Sequence, residues 1–175
     1  MTSVPYGNIM YAYYPMAKQN FEMGFLLNRA SFALDRHLNR SFSRKGLSKF
    51  SASFLGVMKC LWEKDSQSLS ELANEIGLEA SSMTGLIDRM EKATLVKRRS
   101  DPRDRRVWRI QLTYKGKTIQ PVIAGIMEDT YETLTDGISA SDLSATKRGL
   151  VKFIENTGYR MERIDPKRSR KGGAK

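Results

Sequence analysis

Residues 68–113 read SLSELANEIGLEASSMTGLIDRMEKATLVKRRSDPRDRRVWRIQLT, and the order of caps, apolar repeats and turns in this stretch decides the fold. Ser68-Leu69-Ser70-Glu71 is a capping box, in which the serine hydroxyl and the glutamate carboxylate satisfy exposed amides at a helix start. Leu69, Leu72, Ala73 and Ile76 then give that helix a buried face, and Gly77 offers a left-handed stop. After a very short break, Met83, Leu86, Ile87 and Met90 fall at i, i+3, i+4 and i+7. Two short helices joined this tightly form the helix-turn-helix pattern. Next come Leu95 to Arg99, a Ser-Asp-Pro turn cluster, and Arg106 to Thr113, where Trp108, Ile110 and Leu112 alternate with Val107, Arg109 and Gln111. Period-two alternation flanking a turn predicts a β-hairpin, which in this position is a wing.

Upstream, residues 1–18 hold Tyr6, Tyr11, Tyr13 and Tyr14 but a single charge, Lys18. Their proline and glycine residues argue against a long helix, so the segment reads as an arm. From Gln19 to Arg40 the positions Met23, Leu26, Leu27, Ala30, Ala33, Leu34 and Leu38 keep helical spacing, while Phe25 and Phe32 fall off the stripe. A helix apolar on more than one side packs against two surfaces, here its own core and a partner subunit. A second helix is expected from Leu47 to Trp62, on the spacing of Phe50, Phe54, Leu55, Met58 and Leu61.

Downstream, Thr113 can cap a helix whose stripe runs through Ile119, Val122, Ile123, Ile126, Met127 and Leu134, provided Pro121 falls in its first turn. A last helix spans Ser141 to Tyr159. The fold class is therefore mostly α with a small β-hairpin wing, a winged helix-turn-helix flanked by N- and C-terminal dimerisation helices. The expected segments are the arm over 1–18, core and dimerisation helices over 19–62, the winged helix-turn-helix over 63–116, C-terminal dimerisation helices over 117–162, and a disordered basic tail over 163–175.

Composition narrows the partner. The chain has 30 Lys+Arg against 19 Asp+Glu, a net charge of +11, which points to a polyanion. Residues 97–109 and residues 160–175 each carry seven basic and two acidic side chains. A lone cysteine, Cys60, excludes an intrachain disulfide framework and fits a reducing compartment. With no signal-peptide pattern and no apolar run long enough to span a bilayer, the cytoplasm is the expected location.

The apolar face of the second helix of the pair leaves Ser81, Ser82, Thr84, Asp88, Arg89 and Lys92 on the exposed side. Short polar groups near a helix start suit base edges or phosphates in a major groove, and an arginine can pair bidentately with guanine. Arg103, Arg105 and Arg106, with Asp101 and Asp104 interleaved, suit a wing reaching phosphates or a minor groove, with Asp104 holding an arginine in place.

Residues 69–116 resemble the DNA-binding core of the MarR family of transcriptional regulators, above all in DPRDRR followed by LT and KG, and the flanking helices extend the likeness to about residues 20–160. The resemblance implies that the helix beginning near Ala80 is the recognition helix, that the wing contacts the minor groove, that Asp104 and Arg106 brace the wing, and that the terminal helices form an intertwined dimer. Thr94 departs from the pattern, standing where the family usually has glycine.

Family members often release DNA on binding a small aromatic acid, a phenol or an oxidant, so an effector is expected here as well. Phe25, Arg29, Phe32, Arg36 and Arg40, spaced at three and four residues on the first helix, could offer rings and cations to an anionic aromatic ligand; a solvated or DNA-facing surface is the plainer reading of such a stripe. Cys60 among Leu55, Met58 and Leu61 reads as a small buried hydrophobe, and His37 lacks partners for a metal site. No metal or cofactor is expected. Gly116-Lys117-Thr118 imitates the end of a P-loop, but Gln111 stands where that motif needs glycine. With no catalytic constellation, the expectation is a non-enzymatic homodimer that binds duplex DNA at a pseudo-palindromic operator, with repression the default mode. The rival is an architectural DNA binder without operator or effector.

Overall fold

The computed structural model describes residues 7–104 and 106–158, with side chains from Glu22 onward. These fall into two compact units, one ending at Ala52 and one starting at Ser53.

The first unit is dominated by α1 (Gly7–Arg44), which starts well before the expected Gln19 and takes in most of the segment read as an arm. Pro15 lies inside it. A proline removes one backbone hydrogen bond at a cost of about 3 kcal/mol, a local penalty within a helix of 38 residues. The helix closes as a Schellman motif: Gly46, at φ +76°, donates to the Ser43 carbonyl, and Leu47 donates to that of Phe42. Residues 45–51 are not helical, although Phe50 keeps the spacing that suggested a helix from Leu47, and the expected helix starts only with a 3-10 turn over Ala52–Phe54. The Phe50 ring instead meets Phe42 edge-on at 4.8 Å, and the Asn39 Oδ1 accepts from the Ala52 amide at 2.9 Å. Gly46, left-handed, turns the chain out of α1.

The second unit begins with α2 (Leu55–Glu63), followed by β1 (Gln67–Ser68), α3 (Leu69–Ile76), α4 (Ala80–Lys92), β2 (Val96–Ser100) and β3 (Trp108–Leu112). Then come α5 (Tyr114–Thr118), α6 (Gln120–Thr135) and α7 (Ala140–Asn156). The strands form one antiparallel sheet in the order β1-β3-β2, with Arg98 opposite Ile110 and Ser68 opposite Arg109. Sequence periodicity finds the hairpin and misses β1, since two residues are too few to show alternation.

Met58, Leu61, Leu72, Met83, Ile87, Met90, Leu95 and Ile110 are buried almost completely, each worth roughly 1.5–3 kcal/mol of apolar burial. Trp62 donates from Nε1 to the Gly116 carbonyl at 2.8 Å, tying α2 to α5. Where one helix was expected after Thr113, the chain makes two: Thr113 caps α5 by accepting from the Gly116 amide, and α6 restarts at Gln120 with Pro121 in its first turn. Ser139 caps α7 by accepting from the Asp142 amide. Tyr159 and the basic tail over 163–175 lie outside the described residues.

Candidate nucleic-acid interface

Helix α4 is placed by its two ends. At its approach, α3 is opened by the full capping box, with Glu71 N donating to Ser68 Oγ and Ser68 N donating to Glu71 Oε2 at 2.7 Å. Gly77, at φ +70°, then turns the chain so that α4 can start at Ala80. At its far end, Thr94 donates to the Glu91 carbonyl and Leu95 to that of Met90, a Schellman closure whose left-handed residue is Thr94 at φ +59°. The geometry the family serves with glycine is thus kept, and the β-branched side chain bears the strain of a conformation that costs an L-residue roughly 1–2 kcal/mol.

Between these ends, Met83, Leu86, Ile87 and Met90 are buried, leaving Ser81, Ser82, Thr84, Arg89 and Lys92 exposed on the opposite arc. Thr84 donates its hydroxyl to the Ala80 carbonyl at 3.0 Å, so toward any ligand it presents lone pairs and a methyl group. Gly85 leaves open the space one turn before Arg89, whose guanidinium nitrogen passes 3.8 Å from where a Cβ there would lie.

Asp88 is not free for a ligand. It pairs with Arg98 of β2 at 2.7 Å, and the same guanidinium bonds Glu91, whose other oxygen accepts from the Arg98 amide. This clasp fastens the exposed helix to the first wing strand, and one basic residue of the 97–109 run is occupied by it.

The wing tip is folded by two aspartates, each accepting from the amide two residues on: Asp101 from Arg103 at 2.8 Å and Asp104 from Arg106 at 3.0 Å. Asp104 therefore engages Arg106 through the backbone, and the side chains of Arg103 and Arg106 stay exposed; Arg105 lies outside the described residues. The side-chain brace is a different pair. Arg109 donates from Nε to Asp101 at 2.6 Å and from its terminal nitrogen to Glu71 at 2.9 Å, joining wing, second strand and the start of α3. Sequence reasoning had Glu71 only as a cap and Arg109 only as an alternating strand residue, and no spacing rule reveals their meeting.

The electrostatics follow from these contacts. The Asp101 carboxyl, 6% exposed, is held below the usual aspartate range, first by the Arg103 amide and then by Arg109. Glu71 is lowered chiefly by the Ser68 amide, with Arg109 adding to it, and Arg109 is raised chiefly by its bond to Asp101. The Asp101 and Glu71 carboxylates are thus ionised at neutral pH. Among the described residues Lys97, Arg99, Arg103 and Arg106 have no carboxylate partner.

On α1, Arg29 lies 5.9 Å from the Phe25 ring centroid, and Phe32 is exposed. Arg36 and Arg40 line a separate cleft with His37, Asn39, Ser43 and Arg44, so the five residues of the expected effector stripe are divided between two places. Cys60 is buried in α2. Among the described residues no group of three or more His, Cys, Asp or Glu stands close enough to hold a metal ion, and no helix is long and apolar enough to cross a membrane.

An exposed polar helix seated on a helix-turn-helix and fastened to an arginine-tipped hairpin defines a winged helix-turn-helix, the scaffold of DNA-binding transcription regulators. Residues 51–108 match the MarR family. The uncharacterized HTH-type transcriptional regulator YsmB of Bacillus subtilis is 38% identical over 128 residues, 67% of this chain and 84% of that protein. HTH-type transcriptional regulator MgrA of Staphylococcus aureus is 30% identical over 121 residues, 68% of this chain and 81% of that one. In fold, the chain is similar to a mutant MarR from E. coli solved in complex with operator DNA, at TM-score 0.70 and 21% identity, covering 78% of this chain and 96% of that one. The chain belongs to the MarR family, and is a DNA-binding transcriptional regulator rather than an enzyme.

Proposed function

We propose that this regulator acts in the cytoplasm as a homodimeric repressor, occluding a promoter by binding a pseudo-palindromic operator and leaving it when a small effector binds. The observation that carries DNA reading is the donor-rich arc of α4 held beside a wing with four described cations that no carboxylate neutralises. Ser81, Ser82 and Thr84, at the start of α4, approach base edges or phosphates; Arg89 pairs with guanine and Lys92 with phosphate. Arg103, Arg105 and Arg106 meet backbone or minor groove, on a tip shaped by Asp104.

Dimerisation is supported by apolar surface left in water. Helix α7 has no buried residue, although Leu150 and Phe153 project from it, and α6 exposes Val122, Met127, Tyr131 and Leu134. Met23, Phe25, Leu26 and Phe32 of α1 are exposed as well. Isolated soluble chains rarely leave this much apolar surface uncovered. A two-fold axis would set the two α4 helices about one turn of duplex, ~34 Å, apart. The effector reading places an aromatic ligand near Phe25, Arg29 and Phe32, with Arg36 and Arg40 further along the helix.

The test is affinity for the native upstream intergenic duplex against a scrambled duplex of equal length at physiological salt. An operator reader prefers its own segment on the order of a thousandfold. Equal affinity for both would favour the architectural reading. Addition of candidate effectors to the native complex then tests release.

A further inference from the structure

The last turns of α1 carry a feature that operator binding does not use. Arg36, His37, Asn39, Arg40, Ser43 and Arg44 line an open cleft of about 670 Å³. Its walls come from one helix face, since positions four apart stack one above the other with an axial rise of about 6 Å. Small-molecule sites commonly fall at a few hundred to a thousand cubic ångströms.

The donors outweigh the acceptors in this lining. Guanidinium groups donate only, and among the described residues no carboxylate pairs with Arg36, Arg40 or Arg44. Arg44 donates one nitrogen to Ser41 Oγ at 3.1 Å and keeps its remaining N–H groups. Asn39 has its carbonyl oxygen committed to the Ala52 amide at 2.9 Å, so the end of that side chain left for a ligand is its NH2. Ser43 and His37 add a hydroxyl and a ring N–H. Three guanidiniums on one helix face with no carboxylate partner among the described residues repel one another, and an oxyanion with several acceptors relieves that repulsion.

We infer that this cleft binds a small anion carrying two or more negative charges on oxygen, a phosphate ester or a polycarboxylate. An aromatic monoacid fits poorly, because no phenylalanine, tyrosine or tryptophan lines the cleft and the guanidinium of Arg29 already lies beside Phe25. The cleft stands open to solvent, and a duplex backbone is the rival occupant. The site involves none of the residues assigned to operator reading, and it rests on the effector reading only in sharing Arg36 and Arg40, so its failure leaves operator binding untouched.

The experiment is calorimetric titration of the full chain with pyrophosphate and with citrate, ionic strength being held constant with potassium chloride. Saturable binding of one anion per chain is expected, at least tenfold weaker in Arg36→Ala/Arg40→Ala and unchanged in Arg148→Ala/Lys152→Ala, which removes two cations from α7. Arg40→Gln alone, the milder change, should weaken binding by a smaller factor, and circular dichroism confirms that each variant is folded. Tighter pyrophosphate marks a phosphate-ester site, and tighter citrate a polycarboxylate site. Heats that never saturate, or equal weakening in the α7 variant, would overturn the proposal as general charge attraction. Loss of duplex affinity in the Arg36/Arg40 variant without saturable anion binding would overturn it in favour of a DNA contact.

Discussion

Arg109 Nε lies 2.6 Å from Asp101 Oδ2 while the far side of the same guanidinium reaches Glu71 at 2.9 Å, so one side chain holds the wing against the helix that precedes α4. Arg109→Ala cuts both links at once. The expected outcome is a folded protein whose amides over 101–107 exchange faster and whose duplex affinity falls by roughly an order of magnitude, the loss from misplacing a preorganised contact. Arg109→Lys, which cannot form the fork, should fall between the two.

The same brace sets a pH window. Asp101 and Glu71 both have carboxyls lowered from ordinary values of 3.8 and 4.5. A lowered group stabilises the fold fully above its unfolded value and loses that contribution as pH falls through the lower folded value. Duplex affinity and wing protection should therefore be insensitive to these two carboxylates between about pH 5 and 8 and weaken only below about pH 4. A loss centred near pH 6 would show that another group governs the wing.

Gly116 faces the Leu95 carbonyl so closely that an added Cβ would lie 2.1 Å from that oxygen. The carbonyl cannot retreat freely, because it accepts from both the amide and the hydroxyl of Thr113. Gly116→Ala should cost more than about 3 kcal/mol, in the range reserved for severe steric conflict. Urea denaturation with an unchanged midpoint would contradict that contact.

Thr94 gives the opposite sign. Its left-handed backbone is exposed at the end of α4, so Thr94→Gly should stabilise by about 1 kcal/mol and raise the melting temperature by a few degrees. A scanning calorimetry trace checks it.

Arg89 and Arg103 separate reading from holding. Arg89→Ala should cost about 1–3 kcal/mol on the preferred duplex and flatten discrimination at one base pair. Arg103→Ala should weaken all duplexes alike and lower the salt slope by about one ion. Titrations on matched and single-mismatch duplexes distinguish the two patterns.

The apolar repeat of Met83, Leu86, Ile87 and Met90 made the exposed arc of α4 legible from sequence, because burial of one helix face dictates the other. Thr94 was legible as an anomaly, and its positive φ is the physical content of that anomaly. The Arg109 brace was not legible. Glu71 and Arg109 are far apart in the chain, and only the β1–β3 register, which sets Ser68 opposite Arg109, brings them together. The start of α1 is not legible from the proline and glycine residues of 1–18, because the penalty of a proline such as Pro15 is local.

The clasp on Arg98 changes what the basic run means to an approaching polyanion. Of the seven cations between Lys97 and Arg109, Arg98 and Arg109 are neutralised from within by Asp88, Glu91, Asp101 and Glu71, three of which lie outside the run. The attractive potential of the hairpin is accordingly shallower than its composition and more sharply aimed. Two arginines serve as its mortar, while Lys97, Arg99, Arg103 and Arg106 carry the field outward, which gives a docking duplex a direction as well as a pull.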